Sequence, residues 1–268
     1  MSISNITGNW NVTILNLTEY TSPIISNISV TFNYPSPSTN YNTSNSSFAI
    51  NTSISGDSIN KIKFNINSTN FSLIDNSLLI MYNFENNSLI GENSTKVADL
   101  SNYGSNLTLT LPIILNNSLH GKALFSNSST ALISAGNPSQ LNSTFSELSM
   151  FSWVNPQSDV PSERIISKYW WKNSVDANKN SSFLMSLWNS DSSTVSCVFF
   201  INSTTGFSIT NYKGQLNQTV WGHIGCTFNG TEIAIYTNGK LSSTKKISST
   251  PLTIYRSDYP LTIGVGSN

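Results

Sequence analysis

Apolar and polar residues alternate with a period of two through the first 75 residues. Ile28, Val30, Phe32 and Tyr34 interleave with Asn27, Ser29, Thr31 and Asn33, which predicts a strand with one apolar face. Phe48, Ile50 and Ile54 stand against Asn51 and Ser53, and Ile62, Phe64 and Ile66 against Lys61, Lys63, Asn65 and Asn67. Val12 and Ile14 alternate with Asn11 and Thr13 in the same way. Pro35-Ser-Pro37-Ser-Thr-Asn and Gly56-Asp57 read as turns between these strands. Residues 1–75 are therefore expected to form a small antiparallel, immunoglobulin-like β-sandwich, with Ile74-Asp75-Asn76 as its boundary.

Strand signals continue from Ser77 without a sustained helical period. The candidates are 78–84, 131–134, 148–155, 164–168, 182–188, 195–201, 207–211, 222–228, 231–236 and 261–265. Asn229-Gly230 is a hairpin signal joining two of them, and Asn238-Gly239 marks a second tight turn. Many short strands separated by Gly, Asn and Ser turns predict an all-β sandwich or jelly roll over 77–268.

Composition changes the picture in two ways. Charged residues make up only 10 % of the 268, with 13 Lys+Arg against 13 Asp+Glu and two arginines, Arg164 and Arg256. Such a surface has no basic stripe to track a phosphate backbone, so nucleic acid is not an expected partner. No apolar run approaches the roughly 18 residues of a membrane-spanning helix. The place of the missing charge is taken by 37 Asn, 49 Ser and 26 Thr.

The Asn residues are not placed at random. Asn-x-Ser/Thr with x not Pro occurs 19 times, at Asn5, Asn11, Asn16, Asn27, Asn42, Asn45, Asn51, Asn67, Asn70, Asn86, Asn93, Asn106, Asn116, Asn127, Asn142, Asn180, Asn202, Asn217 and Asn229. Composition alone would give roughly ten such acceptor sequences for N-glycosylation. Within the alternating strands, Asn11, Asn27, Asn51 and Asn67 all fall on the polar face, where an attached sugar would reach solvent. Glycans would hydrate a surface that lacks ionised side chains. The chain is expected at the cell exterior, as a mature region of a secreted or surface-displayed protein.

Several motifs from 78 onward then carry a resemblance. Leu-Leu-Ile-Met-Tyr-Asn-Phe-Glu (78–85), Asp-Leu-Ser-Asn-Tyr-Gly (99–104) and Gly-Lys-Ala-Leu-Phe (121–125) come first. Leu-Ser-Met-Phe-Ser-Trp-Val-Asn-Pro (148–156), Ile-Ile-Ser-Lys (165–168), Trp-Gly-His-Ile-Gly-Cys-Thr-Phe-Asn-Gly (221–230), Ile-Tyr-Thr-Asn-Gly-Lys (235–240) and Pro-Leu-Thr-Ile-Gly (260–264) follow in order. Together, over about two thirds of the chain, they resemble the laminin-G-like, concanavalin A-like jelly-roll family. The Asn/Ser/Thr-rich, sequon-dense style is similar to that of archaeal cell-surface proteins carrying such domains. The family usually continues past Pro-Leu-Thr-Ile-Gly with a closing strand that pairs with the first, here 78–84, and the chain stops at Asn268. The resemblance implies either a fragment or an edge that receives a strand from another subunit.

Chemistry is sparse. Glycosidic hydrolysis usually needs two carboxyls about 5–10 Å apart, and no Glu-x-Asp-x-x-Glu run places them on one strand face. His120 and His223 lack a Gly-x-Ser-x-Gly elbow, and His223 reads as a packed strand residue. No catalytic residue is assigned, and the chain is not expected to be an enzyme. The family resemblance makes Ca²⁺ the candidate ion, with Glu85 and Asp99 as its candidate ligands. Cys197 and Cys226 lie in separate predicted strands and either bridge or pack as buried thiols. Tyr169, Trp170, Trp171 and Trp188 either stack on sugars or fill the core. The leading expectation is a structural or adhesive surface component (an S-layer, sheath or filament subunit, or an adhesin) that contacts other copies of itself or other surface proteins. The alternative is a carbohydrate-binding lectin module that uses calcium, and the third is a glycoside hydrolase.

Overall fold

The computed structural model describes residues 2–4, 29–34, 36, 47–49, 51–55, 62–66, 69–110, 114–118, 121–125, 132–156, 163–169, 181–188, 194–201 and 207–264. The chain divides into two compact units, Met1–Leu79 and Ile80–Asn268. Among the described residues no helix is long and apolar enough to cross a membrane.

The first unit contains strands β1 (Ser2–Ser4), β2 (Ser29–Asn33), β3 (Ser47–Ala49), β4 (Asn51–Ser55), β5 (Ile62–Ile66) and β6 (Thr69–Ile74). They form three antiparallel pairs, β1 with β3, β2 with β4, and β5 with β6. The alternation over 28–34 does form strand β2, but Phe32 and Tyr34 stay 52 % and 95 % exposed. Among the described residues β2 pairs with β4 alone, and a two-stranded ladder by itself does not cover an apolar face.

The second unit is a jelly roll of two antiparallel sheets. Its strands are β7 (Lys96–Val97), β8 (Leu107–Thr110), β9 (Ile114–Ser118), β10 (Gly121–Phe125), β11 (Leu132–Gly136), β12 (Leu148–Val154) and β13 (Glu163–Lys168). The rest are β14 (Phe183–Trp188), β15 (Thr194–Ile201), β16 (Phe207–Gln215), β17 (Gly222–Phe228), β18 (Glu232–Thr237), β19 (Lys240–Lys246) and β20 (Leu261–Ile263). The larger sheet has the order β16-β15-β14-β13-β20-β11-β8-β7, and the smaller β12-β17-β18-β19. β9 and β10 form a separate hairpin. Chain crossing is evident at β12, which leaves for the small sheet between β11 and β13, and at β20, which returns to lie between those two.

The core lies between the sheets. Val195, Cys197, Phe199 and Ile201 of β15, with Met185 and Leu187 of β14, meet Ile224, Cys226 and Phe228 of β17 and Ile233 and Ile235 of β18, all buried. Phe199 and Phe228 bring their rings to 5.4 Å across the interface. Gly214 on β16 lets that strand approach β18, since a Cβ there would stand 2.8 Å from Ile235 Cγ2 and 3.1 Å from Val195 Cβ. Of the two Asn-Gly signals, Asn238-Gly239 makes the two-residue hairpin, with φ of 50° and 77° at the central pair and Thr237 opposite Lys240. Asn229-Gly230 opens a longer connection, with Phe228 opposite Ile233.

The segment 78–84, expected as a strand, carries no ladder. Leu78 N–H donates to Asp75 O at 3.1 Å, Met81 N–H to Asp99 Oδ1 at 2.9 Å, and Leu100 N–H to Met81 O at 2.8 Å. Side-chain and loop acceptors take the place of a neighbouring strand here.

Candidate functional site

The outer face of the small sheet carries an aromatic surface whose origin is readable from the register. Met150, Cys226 and Ile235 are cross-strand partners facing the core, so the residues between them face outward. On that outer face Phe151 stands opposite Gly225, which stands opposite Tyr236, and Tyr236 opposite Leu241. One step along, Trp153 stands opposite His223. Phe151 is 54 % exposed, Trp153 48 % and Leu241 57 %.

Gly225 explains how Phe151 lies down on the sheet. A Cβ at this position would fall 2.7 Å from Phe151 Cδ1, so the ring lies across the glycine rather than standing off the sheet. His223 runs nearly parallel to Phe151, with 13° between planes and 5.9 Å between centroids. Trp153 meets the same imidazole edge-on at 5.2 Å and 60°. Burial pushes the His223 pKa below its ordinary value, so the ring is neutral at pH 7. Its backbone is fixed by Asn238, whose Oδ1 accepts from His223 N–H at 3.0 Å and whose N–H donates to His223 O at 2.7 Å. The result is an uncharged, exposed aromatic floor on a rigid sheet, of the kind that marks a recognition surface.

The outer face of the large sheet is different. Arg164 places its guanidinium 5.1 Å over the Tyr169 ring, and Tyr169 lies 5.2 Å from Phe200. Lys168, opposite Phe183 and so on the inner side of β13, is fully buried, its Nζ donating to Asn137 Oδ1 at 2.7 Å and to Tyr259 O at 2.6 Å. Desolvation lowers its pKa to about 8, against the opposing pull of the Asp258 charge. Trp188 stands 42 % exposed at the end of β14.

The residues singled out from sequence fall in several places. Cys197 and Cys226 form a disulfide with Cα atoms 5.8 Å apart, joining β15 of one sheet to β17 of the other. Asp99 is buried and accepts from the backbone N–H groups of Met81, Ser101 and Ser105 at 2.9–3.0 Å and from Ser101 Oγ at 2.7 Å. Glu85 accepts from Lys122 N–H at 3.2 Å on the β9–β10 hairpin, between two residues of positive φ, Phe84 at 59° and Asn86 at 53°. The two carboxylates hold different segments, and the Asp99 oxygens are already filled by protein donors. Among the described residues no group of three or more His, Cys, Asp or Glu side chains is placed to hold a metal ion.

Of the sequons, Asn86, Asn93, Asn217 and Asn229 are exposed. Asn106 and Asn142 are half-buried, accepting from Asp99 N–H at 2.9 Å and Arg256 Nε at 2.8 Å. Asn51, Asn70 and Asn116 lie in β4, β6 and β9. Asn5, Asn11, Asn16, Asn27, Asn42, Asn45, Asn67, Asn127, Asn180 and Asn202 lie outside the described residues, as do His120, Trp170 and Trp171. Sequence reasoning passed over Phe151 and Trp153 as surface groups, because β12 reads as apolar on both faces. The glycine in mid-strand at 225 was the available signal.

Among solved structures the chain is similar to the botulinum neurotoxin serotype D binding domain, at 16 % identity over 71 % of this chain and 43 % of that one, with a TM-score of 0.49. It is similar to the binding domain of Paraclostridial Mosquitocidal Protein 1, at 14 % identity over 66 % and 48 %, TM-score 0.42. It is also similar to a carbohydrate-binding module from Bacillus subtilis, at 16 % identity over 59 % and 92 %, TM-score 0.30. The chain spans about half the length of the two toxin domains, and these likenesses carry no residue correspondence. No curated protein matches it. The family model for laminin-G-like domains of the concanavalin A-like lectin/glucanases superfamily matches residues 126–268, more than half of the sequence, and the chain belongs to that superfamily.

Proposed function

We propose that this chain is a non-catalytic, carbohydrate-binding adhesive module of an extracellular surface, itself N-glycosylated. The observation that carries the reading is the exposed Phe151–His223–Trp153 cluster on a sheet, with Phe151 and His223 near-parallel and Trp153 standing at 60° to the imidazole. A pyranose presents an apolar C–H face, and an uncharged ring lying flat offers it contact area at little cost in conformational freedom. The carboxylates argue in the same direction. Glu92 is buried with its two oxygens on Asn87 N–H and Ala98 N–H, and Asp99 is filled as described. Each serves the backbone rather than a substrate. Exposed sequon residues such as Asn217 and Asn229 leave room for attached glycans, and the dominance of Asn, Ser and Thr supports an exterior location.

A glycan array followed by titration calorimetry tests the reading. Wild-type protein should bind at least one oligosaccharide class, and Trp153→Ala should weaken it about tenfold or more. Equal binding by wild type and Trp153→Ala, or no binding across the array, refutes the proposed role. Native material without added carbohydrate mass refutes the glycoprotein part.

A further inference from the structure

The loop from β16 to β17 carries an exposed acceptor sequence, Asn217-Gln218-Thr219, and both of its flanks are anchored to strand ends beside the aromatic cluster. On one flank Leu216 is buried against Gly222, where a Cβ would fall 2.4 Å from Leu216 Cδ2. On the other, Thr219 N–H donates to Pro156 O at 2.8 Å. Thr219 has a φ of 58°, a left-handed conformation that a β-branched residue adopts only where its surroundings hold it. Gly222 is opposite Val154 and His223 opposite Trp153, so both anchors lie at the end of the small sheet that bears Trp153 and His223. Pro156 follows Trp153 by three residues, about 10 Å of extended chain. The other exposed sequons are placed differently. Asn229 follows the opposite end of β17, about 20 Å along the strand from His223. Asn86 and Asn93 precede β7, at an edge of the large sheet.

We propose that the N-glycan on Asn217 folds back onto Phe151, His223 and Trp153, so that the chain's own sugar is the resident ligand of the aromatic cluster and an outside glycan must displace it. The proposal rests on the reading of the chain as an N-glycosylated, carbohydrate-binding module, and adds the identity of the occupant and its control by glycosylation. The anchored loop holds the attachment point within reach of a few sugar residues, and the exposed rings offer the apolar face of a sugar its contact. A group on a short flexible tether meets its site at an effective concentration in the millimolar range. For a weak contact with a Kd of about 1 mM, an effective concentration on the order of 10 mM fills the cluster most of the time and weakens a competing ligand about tenfold.

The probe is the free oligosaccharide released by amidase from the native glycoprotein, titrated by calorimetry against variants made in the same glycosylating host. Peptide mass mapping should find the glycan on Asn217, and a bare Asn217 overturns the proposal. Asn217→Gln should bind the probe about tenfold more tightly than wild type. Thr219→Ala, which destroys the acceptor sequence and keeps Asn217, should match it, whereas Thr219→Ser and Asn229→Gln should behave as wild type. Equal affinity of wild type and Asn217→Gln overturns the proposal, as does an equal gain in Asn229→Gln, which marks general steric shielding. A difference that grows with protein concentration assigns the sugar to a second copy and also overturns it. In the reverse direction, Trp153→Ala should speed amidase release of the Asn217 glycan, and an unchanged rate counts against the contact. If unglycosylated protein binds other oligosaccharides on an array but not the released probe, this inference falls alone. If it binds none, the proposed function falls with it.

Discussion

Replacing Cys197 and Cys226 together by alanine removes the covalent tie between the two sheets, and the size of the effect can be worked out in advance. The bridge closes a loop with a sequence separation of 29 residues. The loop-entropy relation for that length gives about 3.5 kcal/mol at 25 °C, mostly from the length-dependent part. Both cysteines are 0 % exposed, so the lost sulfur atoms leave a small cavity between Met185, Met150 and Ile235, adding on the order of 1 kcal/mol. A unit of this size loses about 2–4 °C of Tm per kcal/mol, so the double variant should melt roughly 10–15 °C lower. Urea unfolding followed by tryptophan fluorescence measures the free energy, and the slope m checks that the denatured state has expanded. Alkylation supplies the complementary readout: untreated native protein should gain no mass from iodoacetamide. A loss smaller than about 1 kcal/mol, or labelling of both thiols without reductant, refutes the account of the bridge as the tie between sheets.

Two further outcomes are expected. Lys168 has a folded pKa of about 8, below the ordinary amine value, so the unfolded chain binds more protons between these values. Stability should therefore rise as pH increases from about 8 toward 10, by up to about 3 kcal/mol, before the raised Tyr82 pKa acts in the opposite direction. Urea midpoints across that range should show the slope in wild type and not in Lys168→Met; identical slopes would sink the assignment. The second concerns β12, which pairs with β17 on one side and, among the described residues, with no strand on the other. The opposite edge strand β19 carries Lys240, Lys245 and Lys246, whereas β12 carries no charge, so of the two edges seen among the described residues β12 is the one suited to strand addition by a second copy. Sedimentation should show concentration-dependent association that Ser149→Lys reduces, and a monomer at all concentrations would exclude it.

How far local pattern reaches is clearest in the strands. The candidate at 222–228 coincides with β17, and those at 148–155, 182–188 and 195–201 match β12, β14 and β15 to within a residue or so. Period-two patterning and turn chemistry are properties of neighbouring residues, so they survive without knowledge of the rest of the chain. The short strands β7, β9 and β10 and the lysine-rich β19 escaped because their sequences contain little alternation and owe their order to pairing partners, whereas β8 alternates strictly (Leu-Thr-Leu-Thr) but over only four residues. The segment 78–84 failed in the opposite sense, being apolar enough for a strand yet bonded to Asp99 and loop atoms.

The functional surfaces divide along the same line. Sequence alone established an all-β chain, poor in charge and rich in acceptor sequons, with two cysteines in separate strands and a laminin-G-like order of motifs. It singled out Tyr169, Trp170, Trp171 and Trp188 as either sugar-stacking or core residues, because an aromatic cluster is visible in a line of letters. Which aromatics face solvent depends on which face of each strand turns toward the other sheet, and that depends on register between strands distant in the chain. Only the folded pairing sets Phe151 across Gly225 and brings Trp153 against His223. A one-residue slip in either sheet would exchange inner and outer faces along the slipped strand, so these sites exist as consequences of long-range hydrogen bonding and core packing rather than of local composition.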